Sequence, residues 1–163
     1  MTRLDSAIRR LEAQRACLDR AAALVEGVPG PVLELGLGNG RTYDHLRARL
    51  PDRDIFVFER QPAAHPDCTP PEDRLIAGDF LATLPHVRLP APAALVHADI
   101  GTGDKQASLA LAAALAPLLP RLTTPGAILA SDQPMALPGW TEEPLPEGVA
   151  PGRYRLYRRP AGG

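Results

Sequence analysis

Apolar or small residues fall at positions 4, 8, 11, 18, 22 and 25, a spacing of three and four that predicts one amphipathic helix from Leu4 to Val25. Arg15 interrupts the stripe, and Gly27, Pro29, Gly30 and Pro31 end it. The same spacing is a heptad, so the helix either covers its own sheet or pairs with a second copy of the chain. Four short apolar runs follow: VLEL at 32–35, IFVF at 55–58, AALVHA at 93–98 and AILA at 127–130. Each is too short for a helix, and none alternates strictly with polar residues. Such runs predict parallel strands covered on both faces, with helices over 41–50 and 104–119 as the crossovers. RLIAG at 74–78 adds a weaker strand before the short helical FLATL. In the tail, WTEE at 140–143 and RYRLYRR at 153–159 are β-prone pieces that fit an antiparallel pair closing the sheet. The pattern predicts an α/β, doubly wound, mostly parallel sheet of seven strands behind an N-terminal amphipathic helix.

A chain of 163 residues is the length of one domain. Within it, 1–30 holds the N-terminal helix, 31–133 the strand-and-helix core and 134–163 the terminal hairpin. Lys+Arg 18 against Asp+Glu 19 leaves a net charge of −1, which argues against a nucleic-acid partner held by a global positive field and against an anionic membrane. The charged N-terminus has no apolar run of leader type, and the longest apolar stretch, 109–119, is too short to span a bilayer and is cut by Pro117. Cys17 and Cys68 lie outside any C-x-x-C spacing and fit two reduced thiols of a cytoplasmic protein. The 19 prolines stand between apolar segments and punctuate an ordered chain.

The densest chemistry is V-L-E-L-G-L-G-N-G-R-T, where Glu34, Gly36, Gly38 and Gly40 follow an apolar strand and precede a helix. Glycines there let the backbone turn tightly and approach a ligand, and the helix N-terminus offers free N–H groups. The spacing is G-x-G-x-G, whereas the dinucleotide fingerprint would place its third glycine at Arg41, which weighs against a nicotinamide or flavin oxidoreductase. Acidic residues then punctuate successive strands: Glu59 after IFVF, Asp79 after RLIAG, Asp99 after LVHA and Asp132 after AILAS. A lone carboxylate at such a place is commonly a cap, but four in series point to one crevice at the carboxyl edge of the sheet.

From Val32 to Arg159 this arrangement resembles the class I S-adenosylmethionine-dependent methyltransferases, and ELGLGNGRTYDHL is similar to a small bacterial group of them whose substrate is unassigned. The resemblance implies S-adenosyl-L-methionine as cofactor. Its methionine portion would lie at Glu34, Gly36, Leu37, Gly38, Asn39 and Gly40, its ribose at Glu59 with Arg60, and its adenine at Asp79 and Phe80. Asp99 would also border the cofactor, and Asp99 with Asp132 would position or deprotonate the acceptor, since methyl transfer is an in-line displacement that needs alignment and a base. D-I-G-T-G-D-K and S-D-Q faintly resemble the Mg²⁺-holding segments of catechol-type methyltransferases, but Gln133 stands where those carry asparagine, and no metal is expected.

With little chain beyond the cofactor core, the acceptor is expected to be a small molecule, or the site to be completed by a second subunit through the N-terminal helix. A cofactor-binding protein without catalysis is the alternative, because no N-P-P-Y acceptor motif is present. Of the remaining residues, His97 reads as a satisfied core histidine and His45 as a surface or supporting residue. Arg153, Arg155, Arg158 and Arg159 read as charges guarding an edge strand, with an anionic dock as the other reading. Met135 and Trp140 read as walls of an acceptor pocket or as core.

Overall fold

A computed structural model describes residues 1–162. The long helix α1 (Arg3–Leu24) opens on a capping box in which the Asp5 amide donates to the Thr2 hydroxyl at 3.0 Å and the Thr2 amide to the Asp5 carboxylate at 2.9 Å. Then follow β1 (Val32–Leu35), α2 (Arg41–Arg49), β2 (Ile55–Glu59), β3 (Leu75–Ala77), the short α3 (Phe80–Thr83) and β4 (Ala93–Ala98). The chain ends with α4 (Lys105–Leu115), α5 (Leu119–Leu122), β5 (Thr123–Ser131), β6 (Thr141–Glu142) and β7 (Arg155–Arg158). One sheet takes the order β3-β2-β1-β4-β5-β7-β6, with the first five strands parallel and the last two pairings antiparallel.

The apolar strands are covered on both sides, as continuous runs require. Alternate residues feed two cores: Leu33, Leu35, Phe58 and Val96 pack with Leu115 and Leu119, while Val32, Val57, Leu95 and Ile128 pack with Cys17, Leu18, Tyr43 and Leu46. Strand order therefore reverses between β1 and β4, the switch point where open α/β sheets bind ligands beyond their carboxyl ends.

Three expectations change. The buried face of α1 is Ala13, Gln14, Cys17, Leu18 and Ala21, whereas Leu4, Ile8 and Leu11 of the expected stripe stand 69%, 45% and 37% exposed. Burial along α1 begins at Ala13, so the second half of the helix is the part that faces the core. The helix expected over 104–119 is divided: α4 stops at Leu115 and a 3₁₀ turn carrying Pro117 leads into α5. Finally, β7 is no edge strand, since β6 lies outside it. Arg158 of β7 and Arg159 just after it tie the tail inward instead: Arg158 bonds Glu143 and the carbonyls of Gly126 and Leu24, and Arg159 bonds the carbonyls of Pro120 and Thr123.

Candidate active site

The glycine turn leaves β1 through three positive-φ residues, Gly36, Gly38 and Gly40, at +96°, +54° and +87°. At two of them the surroundings leave no room for a side chain. A Cβ on Gly36 would lie 2.8 Å from the Asp99 carbonyl oxygen, and one on Gly40 would lie 2.5 Å from both the Cβ and the carbonyl oxygen of Cys68. Gly38 faces open space, and with Leu37, Asn39, Arg41, Thr42, Arg10, Leu11, Gln14 and Asp99 it lines a pocket of about 190 Å³.

Glu59 ends β2 half-buried and reaches back to this turn: its carboxylate accepts from the Leu37 amide at 2.6 Å and from the Gln61 amide at 3.3 Å. Arg60 beside it is exposed. Asp79 caps α3 at the end of β3, exposed and with no side-chain cap bond, and Phe80 next to it packs partly on the core. Asn39 accepts from the Arg41 amide at 3.3 Å, which braces the turn into α2.

Asp99 directly follows β4, half-buried against the glycine turn, and its Oδ2 accepts from the Gln14 side chain at 3.1 Å. Asp132, at the end of β5, spends both oxygens on the amides of Ile100 and Gly101, at 3.1 and 2.9 Å, and so braces the loop that follows Asp99. Burial pushes the Asp132 carboxyl above the usual carboxylate range, and the nearby Asp99 charge adds to the shift, against the opposing pull of those two amides.

Glu34 lies deeper than a ligand-touching residue of the turn would. It is fully buried, one oxygen meets Nδ1 of the equally buried His97, and Oε2 has no hydrogen-bond partner among the described residues. The His97 Nε2 meets the hydroxyl of Tyr154, whose ring stacks on the imidazole with centroids 6.0 Å apart. Burial pushes the Glu34 carboxyl up; burial alone would lower His97, but the Glu34 charge, with Asp99 and Asp132 behind it, outweighs that and holds the imidazole above its ordinary value. His97 is thus the satisfied core histidine the strand pattern suggested, with a carboxylate as its satisfaction. His45 bonds Asp19 at 2.7 Å, fastens α2 to α1, and lines a groove with Leu11, Gln14, Arg41 and Thr42. Met135 and Trp140 belong to the core cluster on the other face of the sheet.

A family described as S-adenosyl-L-methionine methyltransferase matches residues 1–159. The chain belongs to this family. The enzyme is an S-adenosylmethionine-dependent methyltransferase, transferring the cofactor's methyl group to an acceptor. It is 47% identical to an S-adenosyl-L-methionine methyl transferase from Silicibacter pomeroyi DSS-3, over 98% of this chain and 99% of that one, with a TM-score of 0.91 between the structures. The Escherichia coli protein yhhF (14% identity, TM-score 0.63, 93% of this chain and 88% of that one) shares the fold. So does the N-methyltransferase NodS from Bradyrhizobium japonicum WM9 (13% identity, TM-score 0.55, 95% and 96%). No curated protein matches the sequence.

The methyltransferase's own residues suit such a cofactor. Open backbone at Gly38 with Arg41 beside it answers a carboxylate, the half-buried Asp99 lining the same pocket answers positive charge, and Glu59 can accept from a diol. Two residues at the site, Gln14 and Tyr154, carry no motif signal at all. The one hint to Gln14 is its polar character on the face of α1 that the structure buries.

Proposed function

We propose that the pocket at the glycine turn is where the enzyme holds S-adenosylmethionine, with Gly36 to Gly40 at the methionine portion, Glu59 and Arg60 at the ribose, and Asp79 and Phe80 at the adenine. The observation that carries this reading is convergence on one turn: Glu59 from β2 bonds the Leu37 amide while Asp99 from β4 stands against Gly36. Bound there, the cofactor supplies an electrophilic methyl group on a sulfonium. Asp99 is the residue that meets the acceptor, with one carboxylate oxygen fixed by Gln14, and Asp132 holds the loop that presents it.

The acceptor is a small molecule. A groove of about 400 Å³, walled by Ile8, Leu11 and Leu18, adjoins the pocket through Leu11, Gln14, Arg41 and Thr42, and gives an apolar body room beside the cofactor. The exposed stripe Leu4, Ile8 and Leu11 runs along α1 at heptad spacing, with Ile8 and Leu11 lining that groove, which supports self-association of the chain along α1 in a cytoplasmic homo-oligomer. No described helix is long and apolar enough to cross a membrane.

The test is release of S-adenosylhomocysteine over a panel of small hydroxyl, amine and thiol acceptors, followed by Asp99→Asn at saturating cofactor. Turnover falls about 10²- to 10⁴-fold if Asp99 positions or deprotonates the acceptor. Near-normal turnover with a raised cofactor Kd would remove it from the chemistry.

A further inference from the structure

Gln14 and Tyr154 come from opposite ends of the chain and meet beside Asp99. A helix buries a glutamine at a cost unless its amide finds partners. Gln14, 6% exposed on α1, finds two: its Nε2 donates to Asp99 Oδ2 at 3.1 Å and to the Tyr154 hydroxyl at 3.4 Å. Turning the amide over would set its oxygen against a carboxylate, so the donor side must face Asp99. The Tyr154 hydroxyl, which accepts from this amide, also meets His97, and His97 joins Glu34 in the core. Tyr154 is itself 3% exposed. Asp99 is therefore the only half-buried member of an otherwise buried chain of five side chains running from the middle of β1 to the pocket.

Such a chain determines one oxygen of Asp99 and leaves the other to a ligand. Oδ2 is held by Gln14, while Oδ1 has no hydrogen-bond partner among the described residues, and the residue lines the pocket. Without the amide, the carboxylate would be free to swing on its own bond, in a setting where Asp132 and Glu34 repel it.

We infer that Gln14 and Tyr154 are positioning residues for Asp99, holding its carboxylate at one angle over the glycine turn. This makes α1 part of the catalytic apparatus as well as of the core. The inference rests on the reading that Asp99 faces the reacting end of the cofactor, and the two can fail separately.

A carboxylate held toward a sulfonium favours the cationic cofactor over its neutral product, so the readout is the ratio of the Kd of S-adenosylhomocysteine to that of S-adenosylmethionine, measured by calorimetry. Gln14→Leu and Tyr154→Phe are each expected to lower that ratio about three- to tenfold, and Asp99→Asn to lower it at least as far. A purely structural role for Gln14 and Tyr154 weakens both ligands alike and leaves the ratio where it was. If Asp99→Asn moves the ratio and Gln14→Leu does not, the inference is overturned while Asp99 keeps its place; if Asp99→Asn leaves it unmoved, both fall. Gln14→Leu preserves the helix and its packing volume, so the test stands even if Tyr154→Phe folds poorly.

Discussion

Glu34 and His97 are register partners on the adjacent parallel strands β1 and β4, and their side chains bond one another entirely out of water. A sheet normally uses such positions for aliphatic packing, as it does one step away at Leu33 and Val96. Here two titratable groups replace a pair of hydrocarbons beneath the glycine turn. Charges in such a place are tolerated only together, because either alone would be buried without compensation.

His97→Leu alone is expected to cost about 3–5 kcal/mol of stability, whereas Glu34→Leu combined with His97→Leu recovers most of that loss, as urea melts would show. The pair also sets a direction for pH. Both groups bind protons more tightly in the folded chain than their ordinary values of 4.5 and 6.5 allow. Their contribution is therefore fully present below those values and is lost as pH rises through the higher folded-state ones. As pH rises above the ordinary histidine value of 6.5, the wild type should lose stability that the double variant does not. Equal slopes for the two proteins would contradict the assignment.

Glu59→Ala is expected to fold, since the carboxylate stands at a strand end and bonds only backbone amides. Its affinity for S-adenosylmethionine and S-adenosylhomocysteine should both drop by about 1.5–3 kcal/mol, the range for hydrogen bonds to a charged group. Calorimetry on the folded variant checks this, and unchanged affinity removes Glu59 from the ribose.

Gly40→Ala should destabilise the chain by about 1–3 kcal/mol through left-handed backbone strain alone, with steric overlap on Cys68 adding to it. Cys68→Ala does not rescue this variant, because both clashing atoms, Cβ and the carbonyl oxygen, survive the change. Thermal melts of the single and double variants decide the point.

The strands were plain in the sequence because burial on both faces writes itself as unbroken apolar runs. VLEL and AALVHA mark β1 and β4 to the residue, and the acidic residues after each strand fall at the carboxyl edge. The glycine turn was equally legible, since only glycine fits where Asp99 and Cys68 press against it. What the sequence hid is everything that depends on long separation. His97 looks like any polar residue in a strand until a carboxylate 63 residues away is set beside it. Gln14 looks like the polar side of an amphipathic helix, because periodicity tells which residues share a face but not which face finds the core. The expected stripe divides along its length: Leu18 and Val25 are buried, while Leu4, Ile8 and Leu11 nearer the N-terminus stay exposed, and periodicity does not tell how far along a helix its cover extends.

The bond network that joins Gln14 to Tyr154 spans 140 residues of chain. No partial product of synthesis can contain it: the glycine turn, the acidic strand ends and the helix before them are all made while the tyrosine is still to come. A chain interrupted before Tyr154 would hold the glycine turn and the acidic strand ends while Gln14 still lacked one of its two partners.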